Sequence, residues 1–336
     1  MSTAKRLVRD MLARRPLPRL PFIPWIGGYA ARIAGVTPRE MFESASTLAA
    51  AMQGAQALCG YDAIVSPFDL TLLAGACGCP EVWEVDAEPR LAGSLVRDGR
   101  LLQEVDPAGI GREGRLGVVV EATERASRVV GREVAIIGMV TGPLTLAGQL
   151  WGEGFGEALA EGIGLADDAL ALAGKVVTQV ARAFGERAAV DALVVAEVAP
   201  AGCESVSLLK ALPAWRTLWN VSRFYNAPPI LVADGWSGDW QRLFTLGAAG
   251  VTIGRWPDLA AARRRADEQR AVLGAGLPAA ALIGATADLD RALGAMVAAL
   301  GPQAAFLTTE GAVPLGAPVA QLQRVVEQLQ QLAGDA

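Results

Sequence analysis

Eight short apolar runs recur along the chain, each ending at or near a Gly, a Pro or a carboxylate and parted from the next by a stretch of helical periodicity. They are Pro21–Gly28, Tyr61–Asp69, Val134–Val140, Ala192–Glu197, Pro229–Asp234, Gly250–Gly254, Ala281–Gly284 and Ala305–Thr309. Runs this short, without polar alternation, suit strands buried on both faces, as in a parallel sheet covered by helices. Strand–helix alternation through all 336 residues predicts an α/β fold, a single (β/α)8 TIM barrel over residues 21–336. A basic helix over residues 1–20 precedes it, and the charged, Gly-rich region 80–117 reads as a small insertion after the second strand, long enough for an antiparallel hairpin. An open doubly wound sheet satisfies the same periodicity, because periodicity does not report closure.

Between the runs, Thr37 and Pro38 open a helix that Gly60 stops, and the helical stretch 144–187 breaks near Gly152–Gly156. Further helical segments fall at 70–78, 204–224, 238–247, 258–273, 287–300 and 317–333.

Four carboxylates stand at or just past the C-terminal ends of runs: Asp69, Glu197, Asp234 and Glu310. In a barrel those ends share one mouth, where the chemistry of this fold is found. An anion there accepts hydrogen bonds from substrate N–H groups and stabilises developing positive charge. Each, taken alone, also reads as a loop cap.

Composition removes several classes. There is no histidine, so imidazole acid–base catalysis, Ser-His-Asp triads and His-ligated metal sites are excluded within the chain. A net charge of −5 argues against nucleic-acid binding. No apolar run reaches the roughly 18–20 residues of a membrane span. The first twenty residues carry Lys5, Arg6, Arg9, Arg14, Arg15 and Arg19; an Arg-rich transit peptide is one reading, but Leu7, Met11 and Leu12 fit an amphipathic helix better. Cys59, Cys77, Cys79 and Cys203 are too few and too irregular for a disulfide framework, which places the chain in a reducing cytoplasm. Cys77-Gly78-Cys79 has one intervening residue, not the two of redox or zinc motifs, and reads as packing.

The order of landmarks resembles the uroporphyrinogen decarboxylase superfamily over nearly the full length. Tyr61-Asp62-Ala63-Ile64…Phe68-Asp69-Leu70 resembles the strand that ends in the family's catalytic aspartate, and Gly142-Pro143-Leu144-Thr145-Leu146 its G-P-x-T-L helix start. Gly247-Ala248-Ala249-Gly250-Val251…Arg255-Trp256-Pro257-Asp258-Leu259-Ala260-Ala261-Ala262-Arg263 is similar to its G-A-D-x-V…D-W-x-x-D-L-x-x-A-R block. The resemblance implies a (β/α)8 barrel acting on tetrapyrroles or passing methyl groups to and from corrinoid proteins and thiols.

The departures narrow the choice. Decarboxylases of the family hold substrate carboxylates with two arginines, and the aligned positions are Pro24 and Gly28. The family tyrosine of the long third helix falls on Gln149, and the eighth-strand histidine near Glu310-Gly311. The methyltransferase branch shares the Ile26-Gly27-Gly28 opening, but its zinc-binding His-x-Cys pair falls on Val232-Ala233-Asp234, and its third ligand on Glu310 or Gly311. No thiol-activating zinc is expected there.

Three functions follow as expectations. The first is a corrinoid-linked methyltransferase whose small donor, such as a methylated amine or ether, needs no zinc, with the corrinoid carried by a partner protein. Asp69 and Glu197 would be catalytic in it, with Trp25, Gly27, Gly28, Gln149, Asp234 and Glu310 binding substrate. The second is a decarboxylase of uroporphyrinogen or another tetrapyrrole, with Asp69 holding pyrrole N–H groups. The third is a non-catalytic tetrapyrrole- or partner-binding barrel. Assembly as a homodimer stays open.

Overall fold

The computed structural model describes residues 3–67, 69–84, 87–198, 205–236, 238–301 and 303–334, the side chains of 205–207 and 333–334 excepted. Its strands are β1 (Ala63–Val65), β2 (Glu81–Val82), β3 (Arg90–Leu91), β4 (Ala135–Thr141), β5 (Ala192–Ala196), β6 (Pro229–Val232), β7 (Gly250–Ile253), β8 (Val272–Leu277) and β9 (Ala305–Thr309). Seven of them form one curled parallel sheet in the order β1-β4-β5-β6-β7-β8-β9, while β2 and β3 pair antiparallel as the expected hairpin. Helices connect the parallel strands on the outside, as the short apolar runs require.

Eight strands were expected and the sheet has seven. The eighth place, between β9 and β1, is held by residues 21–25 through isolated bonds. Ile23 N–H donates to Leu307 O and Leu307 N–H to Pro21 O, while Asp62 N–H donates to Phe22 O. Pro21 and Pro24 have no N–H to give a ladder, which is why this run bridges the two edges without continuing as a strand.

A second correction concerns the seventh run. Ala281–Gly284 is part of a short helix, Ala279–Ile283, and the strand is β8, inside the stretch expected to be helical. Gly274 and Gly276 dilute the β signal of Val272–Leu277, yet the packing requires them: a Cβ on Gly274 would lie 2.5 Å from the Phe306 ring. Elsewhere, Ser44 turns extended and caps a new helix, splitting the expected 38–59 helix in two. The 144–187 stretch holds three helices, Pro143–Trp151, Phe155–Glu161 and Gly164–Ala183, with a π turn after the third.

Period-two alternation along the strands sorts the core into two layers. Ile64, Ile136, Leu193, Val195, Leu231, Leu273 and Leu307 face the helices. Ala63, Ala135, Ile137, Ala192, Val194, Ile230, Val232, Val272 and Phe306 fill the inside of the curl. The inner cluster is completed by Leu7, Val8 and Met11, so the N-terminal helix, Ala4–Leu12, seals the bottom of the curl with its apolar face. Its charges dock on buried carboxylates: Lys5 and Arg9 both pair with Asp191 at 3.0 Å, and Arg19 just beyond grips Asp62 with two bonds of 2.6 and 2.8 Å. Cys59, Cys77 and Cys79 are free and buried, and burial pushes the Cys77 thiol up to about 12. They pack and do not react; Cys203 lies outside the described residues.

Candidate active site

At the C-terminal end of the strands a cavity of about 270 Å³ opens, with Val65, Met139, Ala196 and Val232 on its wall and Trp25, Ile26 and Gly27 along one side. Asp69 and Asp234 reach it from β1 and β6, and Glu88 from the loop of the small hairpin. A second cavity of about 390 Å³ adjoins it, sharing Asp234 and Gly311 and adding Trp236, Arg255 and Glu310. Three of the four strand-end carboxylates are thus brought to one mouth.

Asp69 is buried, and its oxygens are fully engaged. One accepts from Thr71 N–H at 2.9 Å and the Thr71 hydroxyl at 2.6 Å, and the other from the Arg115 guanidinium. Arg115 also donates to Glu81 and lies over the rings of Phe42 and Trp83, 5.5 and 5.2 Å from their centres. Asp69 therefore presents an ion pair to the cavity, not a bare charge.

Glu197 does not open into the cavity, although its neighbours Ala196 and Val198 line it. Its carboxylate turns to the N-terminus of the Pro143–Trp151 helix. There it accepts from Leu144 N–H at 3.1 Å, Thr145 N–H at 3.0 Å, the Thr145 hydroxyl at 2.7 Å and the Trp215 indole N–H at 3.0 Å. The reason is local: the residue before Pro143 is Gly142, which has no side chain to cap the helix, so the first N–H groups take a carboxylate from the next strand. A Cβ on Gly142 would sit 2.1 Å from the Glu197 carboxyl carbon. Burial pushes the Glu197 carboxyl above the usual range, opposed by the four donors.

Among the described residues Asp234 has one bond, from Gly254 N–H. Burial raises its pKa most, the Gly254 N–H works against this, and the charge of Glu310 adds to it. Gly254 is confined: a Cβ there would lie 3.1 Å from the Asp234 carboxylate and 3.3 Å from Glu310. Glu88 accepts from Gly28 N–H at 3.1 Å, and desolvation raises its pKa, although the residue is exposed. Gly28 thus meets the site through its backbone. Gln149 stands behind it, its amide donating to Leu70 O at 2.8 Å.

Arg115 and Glu88 escaped the sequence reading. Both come from the region taken as an insertion, and neither ends a strand; the available signal was a charge-rich segment directly after the Asp69 run. Among the described residues, no group of three or more His, Cys, Asp and Glu side chains comes together so as to hold a metal ion. At the positions matched to zinc ligands, the donors offered are the hard oxygens of Asp234 and Glu310 with no thiolate. That set does not fit a thiol-activating zinc.

The profile described as "Uroporphyrinogen decarboxylase (URO-D)" matches residues 3–332. The chain is 24% identical over 155 residues to the methylcobamide:CoM methyltransferase MtbA of Methanosarcina acetivorans, a stretch covering 45% of each protein, and equally to MtbA of Methanosarcina mazei. It thus matches less than half the length of these curated relatives. A solved methyltransferase from Methanosarcina mazei superposes with a TM-score of 0.81 over 98% of this chain and 99% of that one, at 19% identity. A B12-independent methionine synthase from Shewanella sp. W3-18-1 superposes at 0.52 over 84% of this chain and 86% of that one, at 10% identity. At these identities the structural likeness is one of fold. No helix among the described residues is long and apolar enough to cross a membrane.

Proposed function

The chain belongs to the uroporphyrinogen decarboxylase family, and from that premise we propose that it is a methyltransferase that takes a methyl group from a small methylated cation and works with a corrinoid-carrying partner protein. The observation that carries this reading is the pair Asp234 and Glu88, two carboxylates at one cavity whose only hydrogen-bond donors among the described residues are backbone N–H groups. A cation supplies the charge they lack. The apolar wall of Val65, Met139 and Val232 suits methyl groups.

In this reading residues 21–25 close the sheet into a barrel, and a corrinoid on the partner protein would supply the two-electron nucleophile at its mouth. Asp234 and Glu88 hold the ammonium, and the wall strips water from it. Loss of charge from the donor nitrogen as the methyl leaves is favoured where water is excluded. The bond electrons stay with nitrogen, and the neutral amine takes a proton from water as it leaves. Asp69 and Arg115 fix the rim as a neutral pair, Gln149 holds the Leu70 carbonyl in place, and Glu197 positions the helix behind it.

The cavity disfavours a tetrapyrrole. A tetrapyrrole with several carboxylates needs several cations, and among the described residues that line the two cavities Arg255 is the one arginine. The test is methyl transfer from tetramethylammonium to reduced free cobalamin, followed by its absorption spectrum, with calorimetry of tetramethylammonium binding alongside. Absence of both binding and transfer sinks the reading.

A further inference from the structure

The second cavity is chemically unlike the first. Asp234 and Glu310 stand on one side, and Arg255 and the Trp236 indole line it as well. Among the described residues Arg255 makes no hydrogen bond or ion pair and is exposed at the opening. The Trp236 Nε1–H is shielded from solvent and has no acceptor among the described residues. A buried indole N–H ordinarily finds a partner, and leaving it without one is unfavourable. An unpaired guanidinium at the opening of a cavity suits an oxyanion.

We infer that the two cavities form one site for a zwitterion, its methylated ammonium beside Asp234 and Glu88 and its carboxylate or sulfonate in the outer cavity on Arg255. This rests on the proposed reading of the inner cavity and adds the other half of the substrate. Asp234 belongs to both cavities, so the two ends are held on opposite sides of one carboxylate. The arrangement fits a short spacer of a few bonds. It also gives selectivity: a simple cation does not engage Arg255, and a simple anion meets Asp234 and Glu310 unshielded.

Calorimetry on the full chain with three probes of matched shape tests this. Glycine betaine carries both charges, tetramethylammonium only the cation, and 3,3-dimethylbutyrate only the anion. Betaine is expected to bind at least about tenfold more tightly than either, and Arg255→Gln to reduce its advantage over tetramethylammonium about tenfold. Arg255 is exposed and makes no hydrogen bond or ion pair among the described residues, so the variant keeps the fold. Equal binding of betaine and tetramethylammonium, or an unchanged ratio in R255Q, overturns the inference while the cation reading stands. Failure of all three probes to bind overturns both.

Discussion

The Asp69 carboxylate and the Arg115 guanidinium form an ion pair in which both side chains are shielded, 2% and 16% exposed. A pair so placed is held in geometry by its other partners, Thr71 on one side and Glu81 on the other. Removing one member leaves the other uncompensated. Arg115→Met should therefore destabilise the protein by about 3 kcal/mol. Asp69→Asn alone, which leaves Arg115 its bond to Glu81, should cost about 1–2 kcal/mol. The double variant should recover part of the sum, and chemical denaturation of all four proteins gives the coupling. Strict additivity would show that the pair contributes nothing.

For Asp234 the expectation runs the other way. Its folded-state pKa is raised, chiefly by burial, so ionisation costs stability as pH climbs above the carboxyl's unfolded value. Asp234→Asn keeps an acceptor for Gly254 N–H and removes that penalty. The variant should be more stable than wild type at pH 7, with the difference vanishing near pH 4. Thermal midpoints across this range check the sign, and weaker tetramethylammonium binding by the same variant checks the site.

Glu197→Ala should cost about 3 kcal/mol, because it strands Leu144 N–H, Thr145 N–H and the Trp215 indole N–H in a buried place. Glu197→Gln retains one acceptor oxygen and should cost less. Near-ultraviolet circular dichroism reports Trp215 directly. A variant as stable as wild type would remove Glu197 from its capping role.

Met11 is wholly buried in the inner cluster. Met11→Ala should cost about 2–4 kcal/mol, as for a core position, and the loss should appear in one cooperative transition. An effect below about 0.5 kcal/mol, the scale of surface changes, would mean that the N-terminal helix is a detachable appendage.

The strand-ending carboxylates were legible because a short apolar run has a direction, and its last residue lies at a known edge. What those carboxylates touch was not. Glu197 and the Gly142-Pro143-Leu144-Thr145-Leu146 start were each visible, but only the parallel register that sets Thr141 beside Ala196 brings them together. Arg115 lies 46 positions from Asp69, on the helix Gly114–Val130 that the insertion reading had partly obscured. β8 was missed because its glycines answer to neighbouring strands and not to local propensity. The basic start of the chain was readable as an amphipathic helix; that its charges serve Asp191 and Asp62 depended on distant sequence.

The bridge between Ile23 and Leu307 joins segments from opposite ends of the sequence. On the ribosome, residues 21–25 emerge early and must wait for β9 before one of their two flanks is covered. Until then the inner cluster lacks Phe306, and both margins of the sheet present unpaired backbone groups. Such long-range pairing slows folding and prolongs exposure to aggregation. The clasp of Arg19 on Asp62 is different, since its partners lie only 43 positions apart. It is available well before the sheet is complete, and would tether the early segment beside β1 while the remaining strands are made.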